Sequence, residues 1–107
     1  MFSSFLALML MALGGQATDT TRTAREAFTR CLQNYVQRSI DNRMTQADFE
    51  AQYPQQCAAE QSAYREAIIR RDTANRVTRA NAEEAAGLEI EDARINFSER
   101  FAMSQPQ

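Results

Sequence analysis

The stretch Cys31–Cys57, CLQNYVQRSIDNRMTQADFEAQYPQQC, contains both cysteines of this 107-residue chain and has Met44 at its midpoint. Before the midpoint, Ala24, Ala27, Phe28, Cys31, Leu32, Tyr35, Val36, Ser39 and Ile40 recur at steps of three and four. That period marks one face of an α-helix and puts Cys31 on it. The stripe ends at Asp41-Asn42-Arg43, and Thr45-Gln46-Ala47-Asp48 follows as a capping-box-like start. A turn is therefore expected around Met44. If the second arm returns antiparallel at the same rise, the position thirteen after Met44 faces the position thirteen before it, and these are Cys57 and Cys31. A Cys31–Cys57 disulfide pinning a helical hairpin is the expected core of an all-α fold. Closing this loop restricts the unfolded chain by about 3.5 kcal/mol.

Outward from the pin, the first arm reads as helix from about Thr21 to Ile40, with Asp19 and Thr20 as N-cap candidates. In the second arm Phe49 and Tyr53 stand four apart before Pro54, which removes a backbone donor. A kink is expected there, with Pro54 opening a longer helix that turns Cys57, Tyr64, Ala67 and Ile68 toward the first arm. From Arg70 to Asn81 the only large apolar residue is Val77, and the segment reads as a solvated helix or linker supported by Glu66–Arg70 and Asp72–Arg76 pairs. Gly87 marks a possible hinge. Beyond it Ile90, Ala93, Phe97 and Phe101 form a second apolar stripe. This stripe either folds back to complete a three-helix core or projects, coiled-coil-like, as an amphipathic helix that docks on a partner or a second copy. Ile90, Phe97 and Phe101 are the candidate partner-binding residues. The chain thus divides into a leader over 1–17, a pinned hairpin over 18–69, a polar then amphipathic helix over 70–103 and a fraying tail over 104–107. No internal repeat is evident at this level.

Phe5–Leu13 (FLALMLMAL) is an apolar run followed by Gly14-Gly15-Gln16-Ala17, with small residues at −3 and −1 for cleavage after Ala17. It resembles a secretory signal peptide and is too short to span a bilayer, although Met1–Ser4 carries no basic side chain. Cleavage after Gly14 is the alternative. Export to the periplasm or medium fits the paired cysteines, and no lipid-anchor cysteine follows the leader.

The remaining composition removes function classes. Twelve basic residues, all arginine, against fourteen acidic ones give a net charge of −2, with no pull toward nucleic acid. With no histidine and no lysine, Ser-His, Cys-His, Ser-Lys, Schiff-base and P-loop arrangements are absent. Two cysteines without histidine do not supply a zinc-ligand set. No catalytic residue, cofactor or metal is assigned. Arg65, Arg70, Arg71, Arg76 and Arg79 followed by Glu83, Glu84, Glu89, Glu91 and Asp92 read as a solvated, ion-paired surface. The acidic face of the last helix argues against a membrane-surface role.

Met44-Thr45-Gln46-Ala47-Asp48 comes near the Leu-Thr-x-x-Gln motif of helical periplasmic stress chaperones, with Met for Leu and Asp for Gln. Any capped helix start gives that pattern, and no family is assigned from it. The expectation is a small exported, non-enzymatic helical protein of the bacterial envelope that binds another protein or itself. The alternative is a chaperone-like stress protein that holds unfolded clients.

Overall fold

The computed structural model describes the backbone from Ala12 to Pro106 and side chains from Asp19 onward. It is all-α. Among the described residues four helices, α1 (Ala12–Asp41), α2 (Gln46–Gln52), α3 (Ala58–Ala74) and α4 (Arg79–Ser104), follow one another, with a 3₁₀ turn at Tyr53–Gln55 between α2 and α3. No strand occurs among the described residues. The long helices α1, α3 and α4 pack pairwise into a three-helix bundle. The short α2 inserts Phe49 into the same core. Of the expected leader, residues 1–11 lie outside the described residues, and the backbone of 12–17 continues α1.

Cys31 on α1 and Cys57 just before α3 are joined, with Cα atoms 5.9 Å apart. The pair is the one expected, but the returning arm is not a straight helix at equal rise. Pro54 sits in the 3₁₀ turn and does not open the longer helix. The chain then passes through Cys57 at φ 63°, and α3 starts at Ala58. A left-handed residue ends any helix that would have continued from Pro54.

Both helix-to-helix turns have the same construction. At the end of α1, Arg43 donates to the Ile40 carbonyl and Met44 to that of Ser39, both at 3.0 Å, with Arg43 at φ 54°. At the end of α3, Arg76 donates to Thr73 at 3.1 Å and Val77 to Asp72 at 3.0 Å, with Arg76 at φ 68°. These are Schellman motifs, in which a left-handed residue lets two backbone N–H groups satisfy the last carbonyls of the helix. Each is followed at once by a threonine N-cap. Thr45 Oγ1 accepts from the Asp48 N–H at 3.1 Å, and Thr78 Oγ1 from the Asn81 N–H at 3.2 Å.

The sequences agree as well. Asn42-Arg43-Met44-Thr45-Gln46-Ala47-Asp48 and Asn75-Arg76-Val77-Thr78-Arg79-Ala80-Asn81 share Asn, Arg, Thr and Ala in register. The same register matches buried Tyr35, Val36, Phe49 and Tyr53 to buried Ile68, Ile69, Ala82 and Ala86. Contrary to the sequence reading, the chain contains a near-repeat of one helix–turn–helix unit.

The second turn also corrects the reading of residues 70–87. The helix is broken at Asn75–Thr78, whereas Gly87 lies inside the unbroken α4. The expected Glu66–Arg70 and Asp72–Arg76 pairs are not among the ion pairs of the described residues. Asp72 instead meets Arg71 at 3.1 Å, because Arg76 has already left the helix.

The core joins Phe28, Leu32, Tyr35 and Val36 of α1 to Phe49 and Tyr53, to Tyr64, Ile68 and Ile69 of α3, and to Ala82, Ala86, Ile90, Phe97 and Phe101 of α4. Phe49 and Phe101 stack at 4.0 Å between ring centroids. Stacking at this distance ties the C-terminal end of α4 to α2.

Candidate functional site

Ile90, Phe97 and Phe101 are core residues, exposed by 7%, 6% and 0%. Of the two readings of that stripe the structure has the folded-back one, so these three side chains are not an open docking surface. The correction follows from packing: two phenylalanines and an isoleucine on one helix face remove apolar area from water when that face joins the core of α1, α2 and α3.

The opposite face of α4 is where apolar surface remains. Leu88 is 58% exposed, Ile95 47% and Met103 86%. Leu88, Ile95 and Ala102 repeat every seven residues and so share one line along the helix, about 200° around from Ile90 and Phe97. Beside that line, α2 and α4 enclose an open groove of about 350 Å³. Its apolar lining is Phe49, Tyr53, Ile95 and Ala102, and Glu50 and Glu99 bring carboxylates to it.

The groove holds its shape through Arg94. This half-buried guanidinium donates from Nε to the Gln61 side-chain oxygen, from Nη2 to the Gln56 carbonyl at 2.6 Å and from Nη1 to the Tyr53 carbonyl at 3.2 Å. It also lies 5.6 Å from the Phe28 ring centroid and 5.3 Å from that of Tyr53. In return the Tyr53 hydroxyl donates to the Arg94 carbonyl at 2.7 Å. One side chain thus joins α1, the 3₁₀ turn, α3 and α4. Its planar fork suits this task, because several fixed donors meet several carbonyl oxygens at once. Among the described residues no carboxylate pairs with it. Burial pushes the Tyr53 hydroxyl up to about 12, against the opposing pull of Arg94.

A second polar link lies next to Arg94, on the far side of the Phe28 ring. The Tyr64 hydroxyl donates to Glu89 at 2.8 Å, and Arg71 lies 3.8 Å from the other oxygen of that carboxylate. Burial first, then the hydrogen bond and negative charge of Glu89, push Tyr64 up to about 12. These phenols are structural donors held protonated.

The pinned cysteines have Glu60 beside them, with its carboxylate and both sulfurs within 4.8 Å of one another. The sulfurs are consumed in their own bond, so no thiolate is available there as nucleophile or metal ligand.

Sequence reasoning missed Leu88, Ile95, Met103 and Arg94. The seven-residue spacing of Leu88 and Ile95 was a usable signal, but it competed with an aromatic stripe on the same helix. Arg94 carried no signal, because its partners are mostly main-chain oxygens from two other segments. No helix among the described residues is long and apolar enough to cross a membrane. No family model, no curated protein and no solved structure matches this chain.

Proposed function

We propose that this is an exported, non-enzymatic helical protein that acts by docking another protein on the outer face of α4 and the adjoining α2–α4 groove. The observation that carries this reading is the line of Leu88 and Ile95, half exposed beside a groove lined by Phe49 and Tyr53. Most other large apolar side chains among the described residues are turned inward. Isolated exposed apolar residues need no explanation, but an aligned set beside a rigid groove marks an interaction surface.

Export rests on the apolar run Phe5–Leu13, the small residues before Thr18 and the disulfide. The client-holding alternative draws on a broad apolar face, and with Ile90, Phe97 and Phe101 in the core no such face remains among the described residues. A single partner is the better-supported reading.

The test is photo-crosslinking in intact cells, with a benzophenone amino acid placed at Ile95 or, for comparison, at exposed Gln33 on α1. A discrete adduct from position 95 and none from 33 is expected. The absence of any adduct at 95, or the same adducts from both positions, overturns the docking reading. Export is checked separately by intact mass: a chain beginning at Thr18 that takes up alkylating reagent only after reduction is expected, and a retained leader with free thiols would refute it.

A further inference from the structure

We infer that the partner seated on this face is a cationic amphipathic helix of another protein, carrying apolar anchors seven residues apart flanked by arginine or lysine; the inference rests on the docking reading above. Carboxylates outnumber cations around the apolar line, and Arg94 is the one cation among the groove's lining residues. Glu84, Glu91, Asp92 and Glu99 are exposed on α4 around Leu88 and Ile95, and Glu50 stands across the groove on α2.

None of these five carboxylates takes part in an ion pair among the described residues. Of the two arginines nearest the line, Arg94 is committed to Gln61, Gln56 and Tyr53, and Arg100 lies over the Phe97 ring at 4.6 Å. An acidic frame around an apolar line is complementary to a basic helix and repels an acidic one. Leu88 and Ile95 are about 10 Å apart along the axis, which sets the spacing of the partner's anchors at two turns.

A second copy of this chain fits poorly. An antiparallel α4–α4 pairing centred on Ile95 would bring Glu91 against Glu99 at both ends. The chain's own basic surfaces also lack the anchors: exposed Arg22, Arg25, Arg30 and Arg38 on α1 have no exposed large apolar residue among them. Beside Arg76 and Arg79 there is the single residue Val77, 38% exposed. The occupant is therefore supplied from outside.

The experiment uses the oxidised full chain and two fluorescent helical peptides that share leucines every seven residues, one flanked by arginines and the other by glutamates. Anisotropy titrations should show the arginine peptide binding at least about tenfold more tightly, with an advantage that shrinks as salt is raised. Ile95→Ser should weaken that binding about tenfold. The double variant Glu91→Gln with Glu99→Gln should remove much of the preference between peptides while leaving the melting curve in place, since both positions are exposed. If both peptides bind equally and Ile95→Ser weakens both, the face docks without charge selection; the inference is overturned and the docking reading stands. Absence of any Ile95-dependent binding overturns the inference, and the crosslinking result then decides the docking reading by itself. A concentration-dependent dimer mass abolished by Ile95→Ser would assign the face to a second copy and also overturn it.

Discussion

At the scale of single residues, the chain uses a side chain where glycine would be easier and a glycine where one is not required. Cys57 stands at φ 63° as the residue preceding α3, a conformation that crowds Cβ against the following carbonyl. The bridge to Cys31 keeps a cysteine there despite that cost. Two bridge-free variants separate the effects. Cys31→Ala with Cys57→Ala and Cys31→Ala with Cys57→Gly both lose about 3.5 kcal/mol of loop constraint. The glycine version should be about 1 kcal/mol the more stable of the two, because glycine enters the left-handed region freely and is the better N-cap. Urea unfolding of both should show this order, and the reverse would mean that Cys57 is not strained. Gly87 is the opposite case. It lies inside α4 with no positive φ, and a Cβ built on it meets nothing within 4 Å. Gly87→Ala should raise stability by about 0.5–1 kcal/mol, read as a higher urea midpoint at unchanged slope.

At the scale of elements, the repeated turn explains what the sequence revealed and what it concealed. Thr45 with Asp48 was legible as a helix start because a strong apolar stripe ended just before it. Thr78 with Asn81 makes the same cap, yet the polar run from Arg70 to Asn81 offered no stripe against which a turn would stand out. That segment therefore read equally as a solvated helix or a linker, and the one local signal, a propensity cost of about 1 kcal/mol, pointed to a hinge at Gly87. A cap that satisfies a backbone donor, together with the Schellman bonds before it, outweighs that signal. Thr78→Ala and Thr45→Ala should each lower stability by about 1 kcal/mol, while Thr→Ser at either position should recover most of it; urea titration of the four variants checks this. The disulfide pairing was legible from counting alone, although α2, the 3₁₀ turn and the left-handed Cys57 reach the same meeting point by a different path. Ile90, Phe97 and Phe101 were legible as one face but not as an inside face. That outcome depends on whether α4 turns back at Thr78, and the docking residues Leu88 and Ile95 follow from it as the side left over.

At the scale of the whole molecule, the unusual composition isolates one titration. The chain has no lysine and no histidine, its twelve basic side chains are all arginine, and its cysteines are joined. With no lysine, no histidine and no free thiol, tyrosine phenols are the side chains whose ordinary range falls between about pH 8 and 12. Tyr53 and Tyr64 are both pushed up to about 12, by burial above all, with Glu89 adding to the effect at Tyr64. A phenol whose pKa is higher in the folded chain than the ordinary value of about 10 binds its proton more tightly when folded. Its stabilisation is complete below about pH 10 and is lost as the pH climbs from there toward 12, where the unfolded chain has released protons that the folded chain still holds. Stability should accordingly be flat from pH 8.5 to 9.5 and fall steadily above pH 10. Tyr64→Phe should lower stability at pH 8 by about 1 kcal/mol, the worth of the bond to Glu89, and should also flatten the alkaline decline. Phenolate absorbance in the folded protein supplies the independent reading, with Tyr53 and Tyr64 ionising well above the ordinary range. Alkaline stability that fell with the same slope in Tyr64→Phe would show that Tyr64 is not held protonated by its place between α3 and α4.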